Sequence, residues 1–235
     1  MVTYTEKLIS FLNASPVNFL AVRNVCKQLR DNGFMQLRAE DTWTQLPEKF
    51  FVTKNDSAVF AFHIGRQALS EAGFRIIAAH SDSPTFRIKP KAEMTGEGGL
   101  VRLNTESYGG SILNTWFDRP LSLAGRVILR SEDALHPESR LIHIERPLLV
   151  IPNLAIHFNR QVNDGVKLNK QKDMLPILGY VNDKLEADGL LMRIIAEELQ
   201  IEKDEIIDFD LYLYDTTPAC LVGLNNEFVS AGRLD

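Results

Sequence analysis

The sequence predicts an α/β layer followed by a β-rich segment, and three observations carry that expectation. Residues 3–33 place apolar side chains at helical spacing. Residues 50–79 carry short apolar runs separated by turn residues. Beyond Pro84, short β-rich runs alternate with turns to about residue 182, with no long helical pattern among them. Helices followed by a small sheet fit an α/β layer, whereas the second texture fits a separate β-rich domain. At 235 residues the chain is long enough for one large domain or two smaller ones. The apolar fraction of 45% and charged fraction of 24% are those of a soluble chain with a real core.

Each element has its own signal. Thr3-x-x-Glu6 reads as a capping box that starts a first helix with Leu8, Ile9 and Leu12 on one side. Ser15-Pro16 resets the chain and places proline where a second helix tolerates it. Phe19, Val22, Cys26 and Leu29 recur at helical spacing, and Gly33 after Asn32 is a stop signal. Strands are predicted over Phe50–Thr53, Ala58–His63 and Phe74–Ala79, with residues 54–57 (Lys-Asn-Asp-Ser) as the hairpin turn between the first two. The β-rich segment carries Phe86–Ile88, Leu100–Leu103, Leu121–Leu129, Leu141–Ile144 and Leu148–Ile151. A helix near Lys184–Leu199 presents Leu191, Ile194, Ile195 and Leu199, and strands are predicted over Phe209–Tyr214 and Ala219–Leu224. No internal repeat or low-complexity linker interrupts the series. A β-rich segment that follows one α/β layer reads as an insertion whose host domain resumes later, and the chain stops within structured-looking sequence, as a portion of a longer one would.

Composition excludes several classes. A net charge of −5, from 26 basic and 31 acidic residues, gives no support to phosphate-backbone binding, so no nucleic-acid partner is expected. The local basic run Arg87-Ile-Lys89-Pro-Lys91 reads as a solvated strand face. Two widely separated cysteines, Cys26 and Cys220, fit a reducing cytosol better than a disulfide framework, and Cys26 falls on an apolar helix stripe. The N-terminus lacks the basic start and apolar core of a signal peptide, and no apolar run approaches the ~20 residues a membrane helix needs. A cytoplasmic protein with no membrane partner is the expectation.

Chemistry concentrates at residues 76–84, Ile-Ile-Ala-Ala-His-Ser-Asp-Ser-Pro. An apolar run ends in His80, and Asp82 follows two positions on, before Pro84. At extended spacing these two side chains point the same way. That suits a metal-bound imidazole whose second nitrogen is held by an acid. It equally suits an ordinary hydrogen-bonded pair at a strand end.

The stretch Ala78-Ala-His-Ser-Asp-Ser-Pro84 resembles the metal-binding segment of the aspartyl aminopeptidases, a family of dinuclear zinc exopeptidases. Further similar blocks follow in order: Tyr108-Gly-Gly110, Trp116-Phe-Asp-Arg119, Leu123-Ala-Gly-Arg126, His143-Ile-Glu-Arg-Pro147, Ile151-Pro-Asn-Leu-Ala-Ile-His157, Asp215-Thr-Thr-Pro-Ala219 and Gly232-Arg-Leu-Asp235. The resemblance implies that His80 is a ligand of one zinc, that Asp82 orients its imidazole, and that Asp235 bridges two zincs. It implies that His157, read from its surroundings alone as a satisfied histidine on a partly buried strand or helix edge, reaches a neighbouring subunit's active site and contacts substrate or the developing oxyanion. It further implies a zinc-peptidase (phosphorylase/hydrolase-like) α/β domain, incomplete here. Its N-terminal part would span residues 1–86, an inserted β-rich dimerisation domain residues 87–222, and a return to the peptidase domain residues 223–235.

The activity so implied is release of N-terminal residues, acidic ones above all, from peptide substrates by zinc-activated water. Two zincs are expected per full-length chain, in a homo-oligomer whose dimers build a dodecamer. The general base and remaining ligands would lie beyond Asp235, so the 235-residue chain by itself is expected to be inactive. A neutral-residue zinc aminopeptidase and a non-catalytic self-association module are the alternatives. Tyr108-Gly-Gly110 and Trp116–Arg119 read as architectural, with Asp118 and Arg119 as a pair that could order a loop. His63, His136 and His143 default to structure or surface, and Glu197-Glu198 to a solvated helix face.

Overall fold

A computed structural model describes residues 3–133, 135–181 and 189–234. The chain separates into two compact units, Met1–Ser83 and Pro84–Asp235.

In the first unit, helix α1 (Tyr4–Ala14) begins at the predicted capping box. The Glu6 amide donates to Thr3 Oγ1 at 3.2 Å, and the Thr3 amide donates to Glu6 Oε2 at 2.7 Å. Helix α2 (Asn18–Asp31) buries Phe19, Leu20, Val22 and Cys26, and burial pushes the Cys26 thiol up. Val22 and Cys26 pack on Phe51 of a three-stranded sheet, with Leu29, Phe34 and Val59 around them. The sheet runs β1 (Met35–Gln36), β2 (Lys49–Lys54) and β3 (Ala58–His63), parallel between the first two and antiparallel between the second pair. The hairpin turn is the one the residues demand: Asn55 and Asp56 adopt φ 51° and 54°, the left-handed pair that matches strand twist. A short helix, α3 (Leu69–Ala72), follows.

The predicted strand over Phe74–Ala79 does not form. These residues have no regular secondary structure, and Phe74, Ile76 and Ile77 are exposed. A strand exists only through ladder partners for its N–H and C=O groups. No described strand pairs with this run, so β propensity alone does not make it one.

The second unit is built on a six-stranded antiparallel sheet. Its strands are β4 (Thr85–Thr95), β5 (Leu100–Tyr108), β6 (Leu121–Leu129), β7 (Glu138–His143), β8 (Ile177–Tyr180) and β9 (Ile206–Asp215), in the spatial order β7-β6-β9-β4-β5-β8. Period-two alternation sends Phe209, Leu211 and Leu213 of β9 into the core beside Leu123, Val127, Phe86 and Leu103. Helix α4 (Leu190–Leu199) closes that core with Leu191 and Ile195. Its first turn is held from β4, where Glu93 Oε1 accepts from the Leu191 amide at 2.9 Å. The predicted start of this helix at Lys184 lies outside the described residues. The ladder of β4 with β5 shifts register between Ile88 and Glu93, the interval containing Pro90, which has no N–H to donate.

Other boundaries differ from expectation. Residues 148–151 form only isolated bridges, Leu121 with Leu149, Val150 with Ile177 and Phe117 with Ile151, because the segment turns between three partners instead of following one. The strand predicted over Ala219–Leu224 shortens to β10 (Cys220–Val222), which pairs with β11 (Phe228–Ser230) in an unforeseen hairpin. Glu197 and Glu198 are exposed on α4, a solvated face as expected. Arg87 meets Asp210 at 2.9 Å and Lys89 donates to Gln171 at 2.7 Å, so the local basic run is absorbed by the unit's own surface.

On the opposite face of the sheet, Tyr214 and Tyr212 of β9 face Ser122 and Ala124 of β6. The Tyr214 hydroxyl donates to the Ile144 carbonyl at 2.7 Å, and burial pushes its phenol up to about 12. Between these residues Gly125 lets two strands close: a Cβ there would run into the Asp210 carbonyl oxygen and lie 3.0 Å from Leu211 Cα.

Two outcomes follow from these contacts. Gly125→Ala should cost about 1–3 kcal/mol by forced strand separation, read from urea midpoints at unchanged slope. Because the folded Tyr214 value lies above the ordinary phenol value near 10, its contribution is complete below about pH 10 and is lost as pH rises to about 12. Tyr214→Phe should therefore flatten that part of the alkaline stability profile, and an unchanged slope would contradict the assignment.

Candidate metal centre

His80 and Asp82 come together at a bend at Ser81, not at the end of a strand. His80 Nδ1 lies 2.7 Å from the Asp82 main-chain oxygen and 3.2 Å from Asp82 Oδ1. Both acceptors call for a proton on Nδ1, which places the imidazole lone pair on Nε2. The His80 side chain is 54% exposed. The supporting backbone is held in turn, because Ser81 Oγ donates to the Ser57 carbonyl at 2.7 Å, tying the segment to the β2–β3 hairpin turn. The carboxylate therefore does not orient the ring alone, and the carbonyl makes the shorter contact of the two.

An imidazole held through Nδ1 by a carbonyl and a carboxylate fits one ligand position of a zinc ion bound through Nε2. A structural or catalytic zinc needs three or four such donors. Among the described residues no group of three or more His, Cys, Asp or Glu side chains is arranged to hold a metal. Asp235, the expected bridging acid, lies outside the described residues.

His157 is placed differently from its reading as a partly buried strand or helix edge. It lies in an exposed turn over residues 156–158, where the Phe158 amide donates to the Ala155 carbonyl at 2.9 Å. Leu154, Ile156 and Phe158 around it are exposed as well. The apolar residues that predicted a strand edge find no ladder here and stand on a loop between β7 and β8. The other histidines keep local company. His63 meets Glu48 at 3.3 Å, His136 meets Asp133 at 2.6 Å, and the His143 ring lies 5.3 Å from that of Tyr214.

The architectural blocks take definite roles. Gly109 adopts φ 71° and packs against Pro84, where a Cβ would lie 3.4 Å from Pro84 Cα. Asp118 and Arg119 do not pair with one another. Asp118, at φ 58°, has its amide on the Ile151 carbonyl and its Oδ1 on the Asn153 amide, each at 2.9 Å. Arg119 Nη1 donates to Asp215 Oδ2 at 2.6 Å. A left-handed aspartate is a signal the sequence does not display, since most aspartates avoid that region.

Compared with known proteins, residues 11–235 match the family described as aminopeptidase I zinc metalloprotease (M18). The chain belongs to this family. A probable M18 family aminopeptidase 2 of Clostridium acetobutylicum is 53% identical over 233 residues, covering 99% of this chain and 54% of the relative. The chain thus spans about half the length of the curated relatives it matches. Among solved structures, a chain from a cryo-EM structure of an Ape4 and Nbr1 complex superposes with a TM-score of 0.88 at 36% identity, covering 95% of this chain and 46% of that one. A yeast mApe1 dodecamer structure superposes at 0.78 and 23% identity, over 95% of this chain and 50% of that one, which shows the shared fold alone. The M18 assignment agrees with the resemblance read from the motif blocks. No helix among the described residues is long and apolar enough to cross a membrane.

Proposed function

We propose that the full-length protein is a zinc aminopeptidase that releases single N-terminal residues, preferentially acidic ones, from peptides. The observation that carries this reading is the M18 match across residues 11–235, joined to a His80 imidazole held through Nδ1. In this reading His80 offers Nε2 to one zinc, and Asp82 keeps the Nδ1 proton in place. Asp235 would be the carboxylate ligand that the two zincs share. Zinc when bound supplies Lewis acidity and an activated water. His157 donates a hydrogen bond to the oxygen on which negative charge develops, in a neighbouring subunit's active site. Its exposed turn, flanked by exposed Leu154, Ile156 and Phe158, is suited to delivery across an interface.

That role requires an oligomer, and a dimer-based dodecamer of the kind named for the yeast relative is the proposed assembly. Residues 1–86 and 223–235 are assigned to the peptidase domain, and 87–222 to the inserted dimerisation domain. Cys26 and Cys220 are free thiols, which suits a cytoplasmic setting.

The test is made on the full-length protein. Metal analysis should return close to two zincs per chain, and His80→Ala should abolish activity and empty one site while leaving the melting temperature nearly unchanged. Asp82→Ala should weaken zinc binding by about tenfold, the lower end for an outer-shell partner, because the carbonyl contact survives. A metal-free, active enzyme would overturn the reading. Residues 1–235 expressed alone should bind zinc weakly and leave an N-terminal aspartyl peptide intact, and robust hydrolysis by that polypeptide would contradict the ligand assignment.

A further inference from the structure

The block Trp116–Arg119 reaches two places at once. On one side, Arg119 Nη1 donates to Asp215 Oδ2 at 2.6 Å. The Asp215 side chain is 9% exposed, and its Oδ1 accepts from the Thr217 amide at 2.9 Å. Gly232 packs against the same carboxylate, where a Cβ would lie 3.3 Å from Asp215 Cβ. Arg233 Nη1 donates to the Asp215 carbonyl at 3.3 Å, and its guanidinium sits 5.6 Å from the centre of the Tyr214 ring. Arg119 thus braces the acid against which Gly232-Arg233 is laid, and Asp235 follows Arg233 by two positions in the chain.

On the other side, Asp118 Oδ1 accepts from the Asn153 amide, and the Asp118 amide donates to the Ile151 carbonyl. Phe117 also bridges to Ile151. These contacts fix the entry to the loop that bears His157, four residues beyond Asn153. The left-handed backbone at Asp118, φ 58°, lets one residue face the loop while the next faces Asp215. Asparagine and glycine share this conformation readily, whereas alanine does not.

We propose that Asp118 and Arg119 are positioning residues with divided duties: Arg119, through Asp215, aligns the segment that carries Asp235, and Asp118 aligns the loop that carries His157. The inference rests on the assignment of Asp235 as a zinc ligand and His157 as a substrate-facing donor, and it deepens that reading by naming what holds each. The divided duties have separate signatures. Misalignment at Asp235 weakens metal retention. Misplacement of His157 lowers kcat with the metal still in place.

The experiment uses the full-length protein, with zinc retention against a competing chelator and kcat and KM on an N-terminal aspartyl peptide as readouts. Arg119→Ala should make zinc about tenfold easier to remove, the scale of outer-shell losses. Asp215→Asn, which keeps the Thr217 contact, should move the same way and serves if Arg119→Ala fails to fold. Asp118→Gly keeps the backbone conformation and removes only the acceptor. It should lower kcat about tenfold, the scale of a misplaced oxyanion donor, with zinc retention within about twofold of the parent. Asp118→Asn, which keeps Oδ1, should restore kcat to within about twofold of the parent.

The proposal is overturned if both sets of variants match the parent, if the two readouts move together in every variant as a general loss of stability would make them, or if Asp118→Asn is as impaired as Asp118→Gly. Asp235→Asn and His157→Ala are measured in parallel. If those two keep zinc and activity, the underlying assignment fails and the positioning roles fall with it. If they are impaired while the 118 and 119 variants are normal, only the positioning roles fall.

Discussion

The Asp215 carboxylate is the point at which separate stretches of the second unit are fastened. It closes β9, the strand paired with β6 and β4 at the middle of the six-stranded sheet. Arg119 reaches it from the turn before β6, Thr217 from the turn after β9, and Gly232 from the chain beyond the β10–β11 hairpin. A carboxylate this buried requires charge-assisted partners, because leaving it unpaired would cost several kcal/mol. The same requirement that satisfies the acid therefore sets the path of three loops. The sheet supplies the rigid frame, and one acid converts that frame into fixed loop positions.

Around this frame the hydrophobic pattern does the ordinary work of folding. Alternation along β6 and β9 sends leucines to α4 on one face and tyrosines to the other. The tyrosine face is buried as well at Tyr212 and Tyr214, and there the Tyr214 hydroxyl is satisfied by the Ile144 carbonyl. Gly125 is needed because these two central strands approach more closely than a side chain permits.

Local signals were the legible part of this fold. The capping box at Thr3, the hairpin turn over residues 54–57 and the strand over Leu121–Leu129 each depend on a few neighbouring residues and one rule, and each appears as read. The misreadings share one cause, which is that a strand is a relation between segments. Phe74–Ala79 has every intrinsic property of a strand and no described partner. Residues 148–151 have partners, but three of them. At the site, the proximity of His80 and Asp82 was legible from i, i+2 spacing, while the larger part played by the Asp82 carbonyl was not, because main-chain direction is unwritten in side-chain types. The separate targets of Asp118 and Arg119 were hidden for the same reason, since the φ of 58° that divides them is a backbone property.

The carbonyl contact to His80 bears on how this segment tolerates mutational drift. A substitution at position 82 can delete a carboxylate but cannot delete a main-chain oxygen, so the tautomer of His80 is encoded in the path of the chain more than in the identity of its neighbour. That path is set by Ser81 on the Ser57 carbonyl and by Pro84, which restricts Ser83 to extended backbone. The imidazole's orientation thus depends on the course of the chain through Ser81 and Pro84 as well as on the Asp82 carboxylate.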